Sequence, residues 1–576
     1  MKQSLLTALA LLLISTLAAC GGGSSTPPSP PSVAVSPATA NVQEGGTQQF
    51  TASVTNTSSM TVSWQVNGVA GGNSTVGTIT STGLYTAPDV IPSPASVTIS
   101  AVLQANSSIS GNSIATITAV QFNNASLKGN YVLSLNGIDL NGNAFYAVGA
   151  ITADGNGNIT GGEEDLNDVS TGYVLGSSVT GTYTVTSDGR GTLNLSIPAI
   201  APTAFSYAFA IQALNNAVLN EIDNNVVNAS GNLEGQTSGT PQPSGNYAFG
   251  FAGSSAGCGP LNSNGIFSMT SPSVGGMQDA NCGGSITQSQ SLSGSYSNID
   301  SLGRGTGSLT ITTGRSSVVY YVVSANRYRF MSLAATIFFL GSADLQAQSS
   351  FAGTDFNGNY VVNSSANTVA GVSYSLIQFN ASGGNISTGY YDVNNTGNVG
   401  STSLTGAYSV ASNGRVSGSF TASPLTLPFA MYMISPSRAY YLDERTNAIG
   451  GGNMYAQSSA VTSNAAWAGS YATRQFGYFI VTTGLLSTSV SGQISADGNG
   501  TLAGTLDIND PSGLFPGLTL QGTYSVGSVA PGRTTVSITT SEGTRNYIAY
   551  VVSPTQVLLL ETDNNLTAGG NAIRQF

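Results

Sequence analysis

The chain has 576 residues, a net charge of −11, no histidine, and charged side chains at only 7% of its positions. The acidic balance excludes nucleic-acid binding, which needs a basic surface. Without histidine or a cysteine cluster, the usual catalytic triads and zinc sites are excluded, so we expect no enzyme, metal or cofactor. The length predicts several domains. Its 72 glycines, with abundant Thr, Ser, Asn, Val and Tyr, favour an all-β fold of short strands and tight turns.

The first 32 residues predict export and attachment to a membrane. Residues 1–19 combine an early lysine with an apolar run, the pattern of a signal peptide that is too short to span a membrane stably. The sequence LAAC at Leu17–Cys20 resembles a bacterial lipobox, which implies cleavage before Cys20 and lipidation of that residue. Gly21 follows, where the familiar sorting rule would need aspartate for retention in the inner membrane, so the outer membrane is favoured. Residues 20–32 are rich in Gly, Ser and Pro and predict a tether. Ordinary secretion with a free cysteine is the alternative.

Residues 33–120 contain VAVSPATANVQEGGTQQFTASV, VSWQVNGV and GTITSTGLYTAPDV. These stretches resemble a bacterial Ig-like module of the Big type. The resemblance implies a β-sandwich that acts as a spacer or adhesive module and carries no catalytic residues. We expect Phe50 to point inward and Trp64 to lie between the two sheets.

The rest of the chain contains four copies of one repeat of about 113 residues. The sequence GNY or GSY opens the copies at Tyr131, Tyr247, Tyr360 and Tyr471. A Gly-x-Tyr mark follows at Tyr183, Tyr296, Tyr408 and Tyr524, and closing glutamines fall at Gln236, Gln348, Gln457 and Gln575. The predicted domains are residues 122–237, 243–349, 354–458 and 464–576.

Each copy alternates apolar and polar residues in short runs between turns, which predicts about eight antiparallel strands with one buried face. An open sheet would expose that face and its edges, so we expect a small up-and-down barrel with the architecture of lipocalins or avidins. A two-sheet sandwich is the alternative, and an outer-membrane barrel a weaker one, because a lipid anchor would then be redundant. Since each copy is long enough to form its own core, the domains are expected to be independent, like beads on a string.

Two cysteines remain, Cys258 and Cys282. Export would place them in an oxidising compartment, where a disulfide between them is expected. Two separately buried thiols are the alternative.

A Gly-Arg pair recurs once per copy, in the turn after the Gly-x-Tyr strand, with its arginines at Arg190, Arg304, Arg415 and Arg533. Acids near the end of the seventh strand are the candidate partners. The predicted structural ion pairs are Arg190–Glu221, Arg415–Asp443 (or Glu444) and Arg533–Glu561. The second copy has Gly341 at the aligned position. A ligand contact in each barrel is the alternative.

Short acidic stretches offer two weaker hypotheses. DGNG at Asp154 and Asp497 begins like a calcium loop, but it lacks the later ligands and is also a preferred hairpin turn. Paired carboxylates in Glu163–Asp165 and Asp507–Asp510 could support glycoside hydrolysis. The middle copies keep an acid there, at Asp279 and Asp392, which fits a structural role equally well.

The sequence therefore predicts an exported, lipid-anchored protein of the cell envelope, on the periplasmic face of the outer membrane or the cell surface. Its role would be non-enzymatic: surface interaction, adhesion or structure. The expected partners are the membrane, through Cys20, and a glycan or envelope protein. A small-ligand carrier with lipocalin-like barrels is the alternative, and a carboxylate-based glycan hydrolase is a weaker one.

Overall fold

The computed structural model describes residues 29–139, 141–168, 172–199, 205–213, 215–223, 227–334, 336–459, 461–527 and 530–576. The predicted signal peptide, Cys20 and most of the predicted tether lie outside this range. The described chain forms two compact units, residues 29–42, 46–88 and 92–118, and the described parts of residues 43–45, 89–91 and 119–576. None of the helices in this part of the chain is long and apolar enough to cross a membrane.

Residues 29–118 form eleven short strands in three sheets. They are β1 (Ser32–Ser36), β2 (Thr39–Gln43), β3 (Thr47–Gln49), β4 (Thr51–Thr55), β5 (Val62–Val66), β6 (Val69–Ala70), β7 (Gly72–Asn73), β8 (Gly77–Ile79), β9 (Leu84–Thr86), β10 (Ser96–Leu103) and β11 (Ser110–Thr118). The strand orders are β2-β11-β10-β5-β6, β3-β9-β8-β7 and β1-β4. Phe50 and Trp64 are buried, as predicted, and the Phe50 ring meets Tyr85 edge-on at 6.3 Å. Packing alone therefore holds this core.

The four repeats form four closed antiparallel barrels of eight strands, which confirms the predicted fold. Barrel 1 contains β12 (Lys128–Asp139), β13 (Ala144–Asp154), β14 (Asn158–Asp168), β15 (Gly172–Ser178), β16 (Thr180–Val185), β17 (Arg190–Ser196), β18 (Phe205–Gln212), β19 (Asn216–Glu221) and β20 (Val227–Gly235). Its fourth strand is interrupted, so β15 and β16 share that position.

Barrel 2 contains β21 (Gly245–Ser255), β22 (Gly259–Thr270), β23 (Ser273–Cys282), β24 (Ser285–Tyr296), β25 (Arg304–Ile311), β26 (Gly314–Ser324), β27 (Arg327–Ser332) and β28 (Ile337–Leu345). Barrel 3 contains β29 (Gly358–Thr368), β30 (Gly371–Ser382), β31 (Asn385–Asn395), β32 (Asn398–Val410), β33 (Arg415–Ala422), β34 (Leu425–Ser435), β35 (Arg438–Asp443) and β36 (Ala448–Ala456). Barrel 4 contains β37 (Ala468–Val481), β38 (Gly484–Asp497), β39 (Thr501–Asp510), β40 (Gly513–Val526), β41 (Arg533–Thr540), β42 (Gly543–Ser553), β43 (Gln556–Glu561) and β44 (Leu566–Arg574). Single 3-10 turns at Asn124–Ser126, Gly353–Asp355 and Asn464–Ala466 precede barrels 1, 3 and 4.

Strand positions in each barrel are numbered 1 to 8, and position 8 pairs with position 1 to close the barrel. The hairpins 1–2, 3–4, 5–6 and 7–8 lie at one end, called here the odd end. The other hairpins and the start and finish of each barrel lie at the even end. Each interior is filled by its own cluster of buried side chains, and the four repeat-opening tyrosines are fully buried in these cores.

The predicted disulfide joins Cys258 and Cys282, whose Cα atoms are 5.6 Å apart. Both residues lie at the odd end of barrel 2, in the first odd-end hairpin and at the end of β23. The disulfide therefore ties two neighbouring hairpins of one barrel.

The barrels contact one another in a closed cycle, so the expectation of independent beads was wrong. Strands at positions 1 and 2 of each barrel pack on positions 6 to 8 of the next, and barrel 4 packs in the same way on barrel 1. The cause is an apolar outer surface on these strands. Val132 and Val148 of barrel 1, for example, are buried against Val319 and Tyr321 of barrel 2. A barrel alone would leave this surface in water.

Candidate functional site

The arginines of the four Gly-Arg pairs form ion pairs, but with the preceding barrel of the cycle. Each contacts an aspartate at the same point of the neighbour's third strand. The pairs are Arg304–Asp165 (Nη2 to Oδ1, 2.7 Å), Arg415–Asp279 (Nε to Oδ2, 2.6 Å), Arg533–Asp392 (Nη2 to Oδ1, 2.7 Å) and Arg190–Asp507 (Nη1 to Oδ1, 3.1 Å). The barrel that precedes barrel 1 is barrel 4, so the last pair closes the cycle.

The predicted partners Glu221, Asp443 and Glu561 were wrong, because their side chains face the barrel interior. They lie opposite the core residues Tyr207, Phe429 and Tyr547, respectively, across strand positions 6 and 7. Arg190 instead lies opposite Ala210, which faces the neighbouring barrel. The two groups therefore point to opposite sides of the same sheet.

Barrel 3 shows how the predicted acids are used instead. Asp443 forms an ion pair with Arg445, two residues further along its own chain. Glu444, the second candidate for Arg415, has its Oε1 at 3.9 Å from the Nη2 of that arginine. Only this alternative brings a predicted acid near a Gly-Arg arginine, and it supplements the closer contact with Asp279.

An asparagine two residues after each of these aspartates binds the backbone of the next barrel. Its Nδ2 donates to a carbonyl at the end of strand position 7. The bonds run from Asn167 to Ser332 (2.8 Å), Asn281 to Asp443 (3.1 Å), Asn394 to Glu561 (2.9 Å) and Asn509 to Glu221 (2.9 Å). The predicted acids thus take part in the interface through their carbonyl oxygens, and position 7 of barrel 2 ends in Ser332 rather than near Gly341.

The closing glutamines also bind the next barrel. Each Nε2 donates to the carbonyl before Gly-Arg and to one on strand position 6. The bonds run from Gln236 to Leu302 (2.8 Å) and Val322 (2.8 Å), Gln346 to Asn413 (3.1 Å) and Met433 (2.9 Å), Gln457 to Pro531 (2.8 Å) and Val551 (3.0 Å), and Gln575 to Asp188 (2.9 Å) and Ile211 (3.2 Å). In the second copy this residue is Gln346, not Gln348 as the spacing suggested.

The glycine before each arginine lets the glutamine approach. Gly303 has a φ of +80°, and a Cβ there would lie 2.7 Å from Gln236 Nε2. Gly532 has a φ of +73°, and a Cβ would lie 2.6 Å from Gln457 Nε2. The left-handed backbone favours glycine, and a Cβ would displace the glutamine amide from its hydrogen bonds. We call the Asp-x-Asn pair and glutamine of one barrel, with the Gly-Arg pair of the next, the inter-barrel clamp.

The carboxylates of the clamp are buried and fully engaged. The side chains of Asp165, Asp279 and Asp392 are 0% exposed. A buried carboxylate is stable only when it is paired and hydrogen-bonded. Tyr321 Oη donates to Asp165 Oδ2 at 2.7 Å, and hydrogen bonding to Asp165 raises the pKa of Arg304 above its usual value. The clamp therefore joins neighbouring barrels through aspartates that are both paired and hydrogen-bonded.

The interface between barrels 4 and 1 is more polar than the other three. Its buried apolar cluster is Ala210, Val218 and Ala472. Ala210 occupies the position at which barrel 2 places Tyr321. Polar contacts replace the ring: Ser489 Oγ donates to Asn228 Oδ1 at 2.6 Å. The cycle is thus closed by the least apolar of its interfaces.

The motifs considered for hydrolysis belong largely to the clamp. Asp165 and Asp507 pair with Arg304 and Arg190. Glu163 Oε2 lies 3.9 Å from Arg304 Nε. Asp165 and Asp507 therefore bind arginines of neighbouring barrels and do not face a substrate cleft.

The two DGNG segments are tight turns capped by aspartate. Asp154 Oδ1 accepts the backbone N–H groups of Asn156 (2.7 Å) and Asn158 (3.0 Å). Hydrogen bonds from Asn158 and Asn156 lower the pKa of Asp154 to about 2. No group of three or more potential metal ligands occurs in the described residues. The contacts support the turn interpretation over the calcium one.

Two carboxyl groups inside barrel 1 have raised pKa values. Burial raises the pKa of Glu164 to about 8, and it raises that of Glu221 well above the usual value. Glu164 Oε2 has no hydrogen-bond partner in the described part of the chain. In both groups burial favours the neutral form of the carboxyl, and both side chains are enclosed by the core of barrel 1.

Two small cavities lie inside the barrels. A cavity in barrel 2 between Phe267, Tyr296, Tyr320 and Tyr328 has a volume of about 30 Å³, and one in barrel 4 has about 10 Å³. Ligand pockets usually measure roughly 300–1,000 Å³, and one water needs about 10–15 Å³. Neither of these two cavities is large enough to hold a small organic ligand.

The large hydrophobic side chains that are exposed on the described part of the barrels lie towards the odd end. Among the described residues of the barrels, the large hydrophobic residues that are exposed are Tyr173, Leu175, Val369, Val399, Leu425, Val481 and Leu486. Each of the seven lies either in an odd-end hairpin or among the four strand residues next to one. Val369, at the tip of the first hairpin of barrel 3, is 95% exposed. The large exposed hydrophobic side chains are therefore distributed on one side of the barrels.

Comparison with protein-family models finds no match, and comparison with curated proteins finds none either. The function of this chain is therefore argued from its own geometry.

Proposed function

We propose that this chain is a lipid-anchored protein of the cell envelope with a non-enzymatic role in surface interaction. In this proposal the clamped barrels are a rigid scaffold, and the odd end is the surface that meets a partner. The chain enters and leaves every barrel at the even end, so no connection between barrels runs across the odd end.

The observation that carries the proposal is the confinement of all seven exposed large hydrophobic residues to the odd end. Burying such residues against a partner is favourable by about 25 cal/mol per Å² of apolar surface. The tip of barrel 4 adds Val481 and Leu486 next to the half-buried Leu485. An apolar surface of this kind favours a protein partner over a glycan.

Two further observations support the envelope location and the absence of catalysis. The disulfide between Cys258 and Cys282 fits an oxidising compartment. The acids singled out for hydrolysis, such as Asp165 and Asp507, are held by arginines of adjacent barrels. Lipidation of Cys20 stays a proposal from the lipobox resemblance.

The test is a binding assay of the full chain against fractionated envelope proteins, with saturation measured for each protein retained. The variant Val369→Asp/Leu425→Asp/Val481→Asp places charges on the odd end and should lose saturable binding. The control Thr270→Asp/Asn298→Asp/Asn499→Asp places the same charges on exposed even-end positions and should keep it. Equal binding by both variants, or binding only to glycans, would overturn the proposed surface.

A further inference from the structure

Six charged side chains converge where the four barrels meet. They are Glu234 of barrel 1, Arg327, Arg329 and Asp344 of barrel 2, Arg438 of barrel 3 and Arg474 of barrel 4. Arg474 lies within electrostatic reach of Glu234, Arg329 and Tyr455, which belong to the three other barrels. One side chain that is near all three other barrels marks the centre of the cycle.

Strand geometry brings these residues together. All of them lie on positions 1, 7 or 8, and side chains on these strands alternate between the barrel core and the outside. Arg327 is paired with Asp344 across β27 and β28. Arg474 is paired with Asn571 across β37 and β44. Arg327 begins its strand at the even end, whereas Arg329 and Arg474 lie two or more residues along their strands and so further from that end.

The two carboxylates are already shared among three arginines. Glu234 Oε1 lies 2.8 Å from Arg327 Nε, and its other oxygen accepts from Arg329. Asp344 Oδ1 lies 2.8 Å from Arg327 Nη1 and 3.3 Å from Arg438 Nη1. The Tyr440 hydroxyl donates to the other oxygen of Asp344. No carboxylate of the cluster is left for a fourth arginine.

Arg474 is that fourth arginine. Its side chain is partly exposed, and it has no hydrogen bond or ion pair with the residues that the structure describes. Burial and the neighbouring Arg329 lower its pKa to about 10, so it remains charged at neutral pH. Four guanidiniums against two carboxylates leave an excess of two positive charges, in a chain whose net charge is −11.

We infer that the centre of the cycle is a binding site for a small divalent oxyanion of the phosphate or sulfate type, held between Arg474 and Arg329. A guanidinium presents five N–H donors in a fork that matches the oxygens of such an anion. A divalent anion would balance the excess charge, which is unfavourable where the guanidiniums are only partly exposed to water. The route of entry is the even end, where Arg327 and Arg438 begin their strands and their side chains are 21% and 30% exposed.

The test titrates the full chain with inorganic phosphate, sulfate, chloride and acetate at constant ionic strength. Calorimetry and the melting temperature are both followed. Phosphate or sulfate should bind at one site per chain and raise the melting temperature with saturation, and acetate and chloride should bind at least tenfold more weakly. Stronger binding of acetate would overturn the assignment to a tetrahedral oxyanion.

Two variants locate the site. Arg474→Gln should weaken phosphate binding at least tenfold, and Arg315→Gln, which alters an exposed arginine of barrel 2, should leave it unchanged. Equal loss in both variants would show only general charge attraction and would overturn the site. If Arg474→Gln does not fold, calorimetry on the unaltered chain still decides, because absence of saturable binding there contradicts the inference. Failure here leaves the odd-end surface untouched, since that surface lies at the opposite end of the barrels.

Discussion

Arg190 of barrel 1 and Asp507 of barrel 4 form an ion pair across 317 residues of sequence. The pair shows that the last barrel packs against the first through the same kind of contact that joins the other barrels. Gln575 adds two hydrogen bonds to the same hairpin, on the carbonyls of Asp188 and Ile211. Four copies of one repeat therefore form a closed assembly rather than a row.

The Arg190–Asp507 pair predicts energetic coupling between barrels 1 and 4. In a double-mutant cycle of Arg190→Gln and Asp507→Asn, we expect a coupling of about 1–3 kcal/mol, because the groups are in contact and partly buried. Chemical unfolding with a probe in each barrel measures it. The control cycle of Arg190→Gln with Asp279→Asn joins groups without contact and should be additive. Additivity in both cycles would contradict a closed assembly.

The clamp glycine predicts a cost that depends on the closing glutamine. Gly303→Ala places a Cβ 2.7 Å from Gln236 Nε2, so we expect it to destabilise the chain by about 1–3 kcal/mol more than Gly314→Ala. Gly314 also has a positive φ, but nothing lies within 4 Å of its Cβ position.

In a chain that already carries Gln236→Ala, Gly303→Ala should cost only its backbone strain, because no amide then lies in the way of the Cβ. The melting temperatures of the three variants give the comparison. A cost that is unchanged by Gln236→Ala would show that strain alone requires the glycine.

Glu164 predicts a pH dependence of stability with a definite sign. Burial raises its folded-state pKa from 4.5 to about 8, so between these values the folded chain keeps a proton that the unfolded chain has lost. Its contribution is fully present below the unfolded pKa and is lost as the pH rises through the folded one, by up to about 1.4 kcal/mol per pH unit.

Glu164→Gln should therefore flatten the fall of the melting temperature between about pH 5 and about pH 8. Barrel 2 has Gln278 at the corresponding position, fully buried, so the amide fits this architecture. The burial of Glu221 acts in the same direction and should keep part of the slope. An unchanged slope in Glu164→Gln would mean that Glu164 is ionised in the folded chain.

The lipobox resemblance predicts that Cys20 carries lipid. In cells fed a labelled fatty acid, the full chain should incorporate the label, and Cys20→Ser should lose it and leave the membrane fraction. Cys258→Ser/Cys282→Ser is the matched control, because it removes the other two cysteines, and it should keep the label. Label retained in Cys20→Ser would contradict lipidation at this residue.

The sequence predicted the barrels because alternation and turn residues are local signals, but the interfaces needed a different signal. Strand position 6 contains the continuous apolar runs VVYYVV in β26 and FAMYMI in β34. Such runs are typical of a strand buried on both faces. Tyr321, on the outer face of β26, is fully buried against barrel 1. These runs could have shown that each barrel has a covered outer surface.

The sequence could predict that the Gly-Arg arginines pair with carboxylates, but not which carboxylates. Every copy contains the arginine of Gly-Arg and the aspartate of Asp-x-Asn. Nothing in the sequence of one copy shows that the arginine pairs with the aspartate of another copy. Glu221 lies near the end of the seventh strand and is a plausible partner by position, and yet its side chain faces the core. An interface between copies is invisible to any argument that treats each copy by itself.

Closure also sets an order on synthesis. Barrel 1 is made first, but the side chains that complete its outer surface, Asp507, Asn509 and Gln575, belong to the barrel made last. Until then Ala210 and its neighbours on β18 and β19 have no cover, and barrel 4 of another chain would fit them equally well. Because this last interface is polar, barrel 1 exposes less apolar surface to water before barrel 4 is made, and a smaller apolar surface is less prone to aggregate.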